Sequence, residues 1–443
     1  MELKIPAGAA FILQRLKTTG HRAYVVGGCV RDSLLGIAPK DWDVCTGAKP
    51  EEMQSAFRDC RVIETGLKHG TLTVLRDGEP YEVTTFRVDG AYTDHRHPDE
   101  VIFVENVIDD LARRDFTVNA MAYNPEEGLI DAFGGQEDLK KRLIRCVGEP
   151  EKRFSEDALR ILRALRFASV YNFLIEEKTA QAIHALKHTL HDVAAERIRV
   201  ELSKLLCGRG AEDILRQYAD VIFEILPQLS PMEGFDQRCP RYHAFDVWEH
   251  TLRAIAAVEP TEILRLTMLL HDSGKPASFT CDPDGTGHFY GHAKRSVAIA
   301  KEVLTYLRVD NATLDTVLTL VAHHDIPLDM EKPAILRRLN QFGEDGLAAL
   351  ISVHRADGIA KGVTPAAVPD MWARDMRKAV AEVLAENPCF TLKDLAVNGR
   401  DLMAAGVPKG PALGQTLSRL LEAVMAGDVP NEREALIELG IRN

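Results

Sequence analysis

AYVVGG, residues 23–28, is followed directly by CVRDSLLG, and together they predict a short apolar strand that turns into a helix at Gly27 and Gly28. Glycines at a strand-to-helix turn allow backbone N–H groups to approach a phosphate, and the start of the helix adds a favourable dipole. Arg31 lies in the first turn of that helix. The stretch therefore predicts an α/β unit with a phosphate-binding turn near the start of the chain.

A pair of aspartates follows in KDWDV, thirteen residues after Gly28. Residues i and i+2 of a strand point to the same side, so Asp41 and Asp43 would converge there. Mg²⁺ is expected to bind one or two such carboxylates together with substrate phosphates. EVTTFR, residues 82–87, alternates like a strand and adds Glu82 as a further candidate. The alternative is a solvated acidic pair at a turn.

DLARRDFTVNAMAYN, residues 110–124, places two arginines before an aspartate and an apolar stretch. Arginine forks match phosphate oxygens bidentately, so Arg113 and Arg114 are candidates for binding a triphosphate near the carboxylates. The alternative is a surface loop that carries an ion pair with Asp115.

EDALRILR, residues 156–163, predicts an amphipathic helix that begins near Asp157 and buries residues 158, 161, 162 and 165. Asp157 and Arg160, at i and i+3, can present an acceptor beside a fork of donors. Cytosine and adenine each offer an exocyclic amine beside a ring-nitrogen acceptor, whereas uracil and guanine reverse that order. The pair would therefore accept CTP and ATP. The alternative is a solvated salt bridge. Two further arginines continue along the same side: Arg163 and Arg166.

These stretches, in this order, resemble the class II tRNA nucleotidyltransferases, or CCA-adding enzymes, and the related bacterial poly(A) polymerases. The matching motifs are GGCVRD (27–32), DWD (41–43), RRDFTVNA (113–120), EDALRILR (156–163) and ERIRVE (196–201). The resemblance implies catalytic Mg²⁺ at Asp41 and Asp43, a triphosphate at Gly28 and Arg31, and base pairing by Asp157 and Arg160. It further implies that ERIRVE braces the helix and that the partners are tRNA, CTP and ATP.

The second half of the chain is rich in histidine, with eight of the fifteen between residues 243 and 354. Their order resembles that of the HD superfamily of metal-dependent phosphohydrolases, which implies a divalent metal at His250, His271, Asp272 and Asp357. A second metal would add ligands from His292 and from one or both of His323 and His324. The mixed ligand set leaves the metal unidentified. Such a unit is either an active hydrolase or a scaffold.

The resemblance implies an α/β (α+β) head with a mixed sheet in the polymerase-β-like nucleotidyltransferase fold, followed by all-α neck, HD and tail domains. The expected limits are residues 1–140, 141–225, 226–360 and 361–443, the last as a tRNA-binding tail. The net charge is −12, yet residues 140–170 hold nine basic against four acidic residues. That segment therefore predicts a local path for an RNA backbone.

Composition indicates a chain of several globular domains. It has 443 residues with 46% hydrophobic content, no apolar run of 18 residues, and a start that does not resemble a secretory signal. Eight cysteines without CxxC spacing favour reduced thiols and a cytoplasmic location. No feature indicates a membrane or a protein partner.

Three alternatives remain besides full CCA addition. A bacterial poly(A) polymerase shares the head but typically has a strongly basic tail and no HD unit. An enzyme that adds only part of the CCA end is the second; YTDHRHPDE, residues 92–100, resembles the flexible segment of full CCA enzymes and argues against a CC-only enzyme, but not against an A-only enzyme. The third is an HD phosphohydrolase with an inert nucleotide-binding head.

Overall fold

The computed structural model describes residues 2–64, 66–90, 101–237, 243–283 and 287–442. The chain divides into two compact units, Met1–Pro227 and Gln228–Asn443, which are called unit 1 and unit 2. Residues 92–100, which sequence analysis singled out, lie outside the described residues.

Unit 1 combines strands and helices. Its described strands are β1 (Ala23–Val26), β2 (Val44–Thr46), β3 (Arg61–Ile63), β4 (Thr71–Arg76), β5 (Glu79–Thr85), β6 (Arg87–Asp89), β7 (Val101–Phe103), β8 (Ala122–Asn124), β9 (Gly128–Ile130), β10 (Leu143–Ile144) and β11 (Leu174–Ile175). Its described α-helices are α1 (Ala7–Thr18), α2 (Gly28–Leu34), α3 (Pro50–Ala56), α4 (Val107–Ala112), α5 (Gly135–Lys141), α6 (Pro150–Glu156), α7 (Leu159–Tyr171), α8 (Glu177–Leu186), α9 (Ala195–Leu206), α10 (Ala211–Gln217) and α11 (Ala219–Ile225).

Seven of the described strands form one mixed sheet in the order β3-β4-β5-β2-β1-β8-β9. Only β2 and β5 run parallel within this sheet as described, with Val44 opposite Val83. All four residues of β1 are buried, which explains its continuous apolar sequence. The predicted strand, glycine turn and helix at residues 23–36 are therefore present, and β1 lies inside the sheet.

Unit 2 is almost wholly helical. Its described helices are α12 (Val247–Ala257), α13 (Glu262–Leu270), α14 (Lys275–Ser278), α15 (His292–Tyr306), α16 (Asn311–Ala322), α17 (Lys332–Ala360), α18 (Ala367–Ala385), α19 (Gly399–Ala404), α20 (Pro411–Ala426) and α21 (Arg433–Ile441). A short antiparallel pair joins β12 (Thr280–Cys281) to β13 (Gly287–His288).

Side-chain caps fix where several of these helices begin. Asp246 accepts a hydrogen bond from the N–H of Glu249 at 2.7 Å at the start of α12, and Asp310 accepts one from Thr313 at 3.0 Å before α16. Such caps satisfy backbone donors that the helix itself leaves unpaired. They place α12, which carries His250, and α16, which His323 and His324 follow.

Each unit has its own apolar core. A cluster in unit 1 includes Tyr24, Phe86 and Leu111 beneath the sheet, whereas a cluster in unit 2 joins α17 to the tail helices through Leu339, Ile351 and Leu420. Among the described residues, no helix combines the length and the apolar character that a membrane crossing requires.

Candidate active site and candidate metal centre

The glycine turn after β1 brings two of the sequence motifs together. Gly27 has a φ of +78°, and a Cβ atom there would lie 2.8 Å from Nη1 of Arg114. The missing side chain therefore lets an arginine of the RRD stretch lie against the turn. The N–H of Gly27 donates to the carbonyl of Met121 at 3.0 Å, so this N–H is used within the protein and is not open to a phosphate as predicted.

Arg31 is buried in unit 1, with 7% of its surface exposed. Its Cζ lies 5.1 Å and 4.7 Å from the ring centroids of Phe167 and Tyr171. The guanidinium also donates to Asn119 and, at 2.9 Å, to Asp32. Arg31 thus links α2 to α7 and to the RRD stretch.

Asp41 and Asp43 lie in the segment immediately before β2, which begins at Val44, and not within the strand as predicted. Pairing nevertheless extends to this segment, because the carbonyl of Asp43 accepts a hydrogen bond from Val26 at 3.0 Å. Asp41 is exposed and Asp43 is partly buried. The two carboxylates therefore stand at the end of the central strands.

Electrostatics places a third carboxylate near this pair. Glu82 comes one residue before Val83, which pairs with the first residue of β2 in parallel register. The pKa of Asp43 is raised to about 6, mainly by burial and also by the charges of Asp41 and Glu82, while Arg114 acts to lower it. A bound cation would relieve this repulsion, so Asp41 and Asp43 are candidates for holding a divalent metal.

Both arginines of the RRD stretch bind one buried carboxylate. Nη2 of Arg113 lies 2.8 Å from Asp110, and Nη2 of Arg114 lies 3.5 Å from its other oxygen. Asp110 is fully buried. The sequence predictions did not include Asp110, although its i, i+3 and i+4 spacing to the arginines is typical of helical ion pairs.

Asp115 connects the RRD stretch to α7 through hydrogen bonds. One of its oxygens accepts hydrogen bonds from the Phe116 N–H at 2.8 Å and from Asn119 at 3.0 Å, and the other accepts from Nε of Arg163 at 2.8 Å. Burial acts to raise the pKa of Asp115, but Arg163 and Asn119 outweigh burial and hold it well below its usual range. Arg163 is thereby fixed at the start of α7.

Asp157 lies between two helices and not at the start of one. α6 ends at Glu156 and α7 begins at Leu159, and Asp157 has extended angles of −144° and 103°. One carboxylate oxygen accepts a hydrogen bond from the Leu159 N–H at 3.1 Å, and the other accepts from Nη2 of Arg197 at 3.0 Å. The predicted helix therefore begins two residues after Asp157, and the helix that precedes it, α6, was not predicted.

Arg160 is also fixed by neighbouring groups. Its Nη1 donates to Glu156 at 2.7 Å and to the Arg153 carbonyl at 3.0 Å, while Nη2 donates to the Arg113 carbonyl at 3.3 Å. A guanidinium has five N–H groups, so two remain after these contacts. Glu156 was not predicted, although it stands at i, i+4 from Arg160.

Arg166 points to α9 and away from the predicted nucleotide. Its Nε lies 2.8 Å from Glu201 in an ion pair, and its Cζ lies 3.9 Å from the centroid of Phe167. Both α9 contacts, those of Arg197 and Glu201, come from ERIRVE, the motif expected to brace this helix. The apolar side of α7 is buried as predicted: Ala158, Ile161, Leu162 and Leu165.

A cavity of about 290 Å³ collects most of these groups. We call it the arginine cavity; its lining consists of Arg113, Arg114, Asp115, Asp157, Leu159, Arg160, Arg163 and Arg197. Five cationic side chains face two carboxylates there. Such a surface suits a polyanion, and the Asp157 carboxylate adds an acceptor at one edge.

In unit 2, two histidines and two aspartates converge from α12, α13 and α17. Nε2 of His250 lies 3.3 Å from Asp272 and 3.1 Å from Asp357, and Nε2 of His271 lies 3.3 Å and 3.8 Å from the same carboxylates. The four predicted core ligands thus present their ligand atoms within 4.8 Å of one another.

A second pair of histidines faces the other oxygen of Asp272. Nε2 of His292 and Nε2 of His324 each lie 3.5 Å from Oδ1, whereas His250 and His271 face Oδ2. Asp272 therefore stands between the two pairs. We call the six residues together the histidine–aspartate site: His250, His271, Asp272, His292, His324 and Asp357.

Backbone carbonyls hold three of these imidazoles with Nε2 directed inward. Nδ1 of His271 lies 2.8 Å from the Met268 carbonyl, Nδ1 of His324 lies 2.8 Å from that of Val321, and Nδ1 of His292 lies 3.0 Å from that of Phe289. Such a bond selects the tautomer whose Nε2 lone pair is available to a metal. The arrangement is typical of metal-binding histidines.

The buried carboxylate of Asp272 supports the same interpretation. It is 1% exposed, and Nζ of Lys275 lies 2.6 Å from its Oδ2 in an ion pair. Burial acts to raise the pKa of Asp272, but His271 and Lys275 hold it well below its usual range. A buried anion among four imidazoles fits a divalent cation.

His323 lies outside this cluster, so of the two adjacent histidines only His324 joins it. Nδ1 of His323 lies 2.8 Å from the carbonyl of Thr319, and its ring packs on Phe342 at 4.9 Å. Consecutive residues at the end of α16 point in different directions, which explains why only one of them reaches Asp272.

Comparison with known proteins identifies the family. Family models match residues 23–145 as "Poly A polymerase head domain", 172–232 as "Probable RNA and SrmB- binding site of polymerase A" and 291–439 as domain 2 of tRNA nucleotidyltransferases. The CCA-adding enzyme of Levilactobacillus brevis is 35% identical over 430 residues, covering 96% of this chain and 95% of that protein. The chain belongs to the CCA-adding enzyme family.

Other CCA-adding enzymes are similar to this chain to a comparable extent. That of Geobacillus stearothermophilus is 36% identical over 96% of this chain and 94% of its own length. The solved Bacillus stearothermophilus enzyme in complex with CTP shares 33% identity at a TM-score of 0.73, covering 98% of this chain and 96% of that one. The fold is shared with the Thermotoga maritima enzyme complexed with tRNA, at 21% identity and a TM-score of 0.59 over 99% of both chains. These matches confirm the predicted polymerase-β-like head followed by helical domains.

Proposed function

We propose that this chain adds C, C and A to the 3′ end of tRNA from CTP and ATP and releases pyrophosphate. Membership of the CCA-adding enzyme family supports the proposal, and relatives have been solved with CTP and with tRNA. The observation that carries it is the arginine cavity, where Asp157 and Arg160 lie beside several phosphate-matching guanidiniums.

Asp157 and Arg160 select the base in this proposal. Each carboxylate oxygen of Asp157 uses one lone pair on Leu159 or Arg197, which leaves capacity to accept a hydrogen bond from an exocyclic amine. The two remaining N–H groups of Arg160 match a ring-nitrogen acceptor. UTP and GTP would leave these groups facing donors and acceptors of the wrong kind, at a cost of roughly 1–3 kcal/mol each.

Arg113, Arg114 and Arg163 bind the triphosphate, together with the backbone at Gly28. Arg31 acts through Asn119 and α7, and Arg166 acts through Glu201, so both orient the cavity more than they touch nucleotide. This division follows from their burial and existing partners.

Asp41 and Asp43 hold the two catalytic Mg²⁺ ions, and the charge of Glu82 acts on the same position. Mg²⁺ bound there would supply charge neutralisation for the leaving pyrophosphate and activation of the attacking 3′-hydroxyl. The carboxylates position the reaction at the end of the central strands, and Arg114, which opposes the rise in the Asp43 pKa, links this position to the arginine cavity. No covalent enzyme intermediate is required.

The four-part division predicted from sequence is kept as a proposal: head (1–140), neck (141–225), HD unit (226–360) and tail (361–443). The basic excess of residues 140–170 supports an RNA path along the neck. A cytoplasmic location follows from the proposed tRNA substrate and from the free thiols of the cysteines in the described ranges.

Three tRNA substrates test the main function: tRNA that ends before CC, after the first C, and after CC. A full CCA-adding enzyme extends the first two with labelled CTP and the third with labelled ATP. An A-adding enzyme extends only the third. Long A tracts on unrelated RNA would indicate a poly(A) polymerase, and no extension at all would indicate an inert head.

We propose a second function for unit 2, a metal-dependent phosphohydrolase that removes phosphate or opens a cyclic phosphate at a 3′ end. The convergence of two histidine pairs on Asp272 carries this proposal. A divalent metal held at the histidine–aspartate site would supply Lewis-acid activation of water and of the phosphate ester. Lys275 and Lys361 line the same cavity and provide positive charge for the phosphate oxygens.

The test uses the full chain with Mg²⁺, Mn²⁺, Ni²⁺ or Co²⁺ and a tRNA that carries a 3′-phosphate. The double substitution His271→Ala with Asp272→Ala should stop phosphate release while nucleotide addition by unit 1 stays nearly intact. If the parent releases no phosphate with any of the four metals, unit 2 is a scaffold and the second function is wrong.

A further inference from the structure

The cavity at the histidine–aspartate site combines charged and aromatic lining residues. It measures about 370 Å³, and its lining includes Lys275 and Lys361 as well as Phe289 and Tyr290. Nζ of Lys361 lies 2.7 Å from Asp357. The charged residues suit a phosphate, and the aromatic residues are not needed to bind one.

Tyr290 presents an open aromatic face at this cavity. The residue is 77% exposed. One face of the ring stacks on His288, with centroids 5.0 Å apart and planes 12° apart. His288 is in turn held by Asp282, whose Oδ2 lies 2.7 Å from Nε2. His288 therefore supports the ring of Tyr290 on one face, and the other face is accessible to a ligand.

The backbone fixes this ring relative to the ligands. The carbonyl of Phe289 binds Nδ1 of His292 at 3.0 Å, and Gly291, with a φ of +73°, makes the turn between them. Phe289 itself packs against Phe279 and Phe235, at centroid distances of 5.5 Å and 6.4 Å. Tyr290 thus lies within a short turn whose ends are both anchored, one of them at a ligand.

We propose that Tyr290 is a stacking platform for a nucleobase, and that the substrate of the histidine–aspartate site is consequently a nucleotide or an RNA end and not a small phosphate ester. This inference rests on the proposed second function. A supported ring with one free face, beside two lysines, matches the two parts of a nucleotide: the base stacks and the phosphate is bound by charge. Phe289 is committed to packing, so Tyr290 carries the base contact.

The experiment compares two phosphomonoesters, adenosine 3′-monophosphate and β-glycerophosphate, which differ in the presence of a base. The Kd of each is measured by calorimetry on the full chain without added metal, and the KM for phosphate release is measured with the activating metal. Tyr290→Ala should weaken binding of adenosine 3′-monophosphate by roughly 5- to 150-fold, the range that base stacking on aromatic residues gives, and leave β-glycerophosphate unchanged. Tyr290→Phe should behave like the parent.

Tyr306→Ala is the matched control, because Tyr306 is a partly exposed tyrosine on α15 that is not among the residues lining this cavity. This substitution should leave the Kd of both ligands unchanged. Equal losses for both ligands, or no loss for the nucleotide, would overturn the role of Tyr290. A parent that hydrolyses only β-glycerophosphate would also overturn it while the phosphohydrolase function stands. A parent that hydrolyses neither would remove the second function and this inference together.

Discussion

Arg197 binds the carboxylate of Asp157 at 3.0 Å, and this ion pair joins α9 to the junction of α6 and α7. The same carboxylate accepts a hydrogen bond from the first residue of α7. Two partners therefore determine where the proposed base acceptor lies, and one of them comes from a helix 40 residues later in the chain.

Arg197→Ala should reduce base selectivity without removing a group that touches the base. We expect the preference for CTP over UTP to fall about tenfold, because loss of one partly buried, charge-assisted hydrogen bond of this kind costs of the order of 1–2 kcal/mol. Single-turnover incorporation of each nucleotide measures the ratio. Arg199→Ala, on the same helix, is the control and should keep the parent's selectivity. If Arg197→Ala keeps the selectivity of the parent, the ion pair does not contribute to the selection of the base.

Asp43→Asn should abolish nucleotide addition while tRNA binding persists, since the substitution removes a charge from the proposed metal site and preserves its shape. The loss should exceed about a hundredfold, as expected when a ligand of the catalytic metal is removed. Gel-shift with tRNA and primer extension measure the two properties. Asp77→Asn, in the exposed turn between β4 and β5, should leave both at the parent level. Turnover in Asp43→Asn near that of the parent would contradict the metal assignment.

His324→Ala and His323→Ala form a matched pair for the metal centre. The ring of His324 faces Asp272, whereas that of His323 is turned towards Thr319 and Phe342. We expect the number of Mn²⁺ ions bound per chain, measured by equilibrium dialysis and elemental analysis, to fall by one in His324→Ala and to stay at the parent value in His323→Ala. Equal stoichiometry in the two variants would show that His324 is not a ligand.

Metal should also stabilise unit 2 against unfolding. A ligand that binds only the folded state adds about 2.7 kcal/mol at a concentration a hundredfold above its Kd. The melting temperature of the parent should therefore rise with Mn²⁺ and return with a chelator, and Asp272→Asn should show neither change. Asp315→Asn, on the exposed side of α16, serves as the control. An equal rise in Asp272→Asn would place the metal elsewhere.

Asp115→Asn should destabilise unit 1 in a pH-dependent way. Because the folded pKa of Asp115 is held below its usual value, its contribution is complete above the unfolded pKa of about 3.9 and is lost as the pH falls through the folded pKa. Asp115→Asn should therefore lower the free energy of unfolding by about 3 kcal/mol at pH 7. Below about pH 4, the free energy of unfolding of the variant should decrease less with falling pH than that of the parent. Pulse-labelling hydrogen exchange of α7 in urea measures this. Asp109→Asn, exposed on α4, should follow the parent at both pH values.

Local patterns were sufficient for the elements that one stretch of sequence determines. β1, the turn at Gly27 and the buried side of α7 follow from apolar periodicity and glycine placement. The order of the strands in the sheet does not follow from these patterns. β1 pairs with β2 and also with β8, in which Tyr123 lies opposite Val25, far away in the sequence. Such pairing depends on packing between distant segments, which periodicity does not encode.

The site shows the same limit. The sequence predicted the helix that carries Arg160 and its start near Asp157. It did not predict that another helix ends at Glu156, because EDALRILR contains no proline or glycine to signal that end. The occupied N–H of Gly27 and the ion pair of Arg166 with Glu201 also depend on contacts from other elements. Residue identity was informative, whereas the partners of each residue were set by tertiary structure.

The position of Asp272 between two histidine pairs has an evolutionary consequence. One substitution at this residue disables both halves of the histidine–aspartate site, whereas a substitution at His250 or His324 disables only one half. In relatives that no longer use the site, we therefore expect Asp272 to be substituted first and the histidines to be substituted later. Chains that keep Asp272 should keep the surrounding histidines as a set.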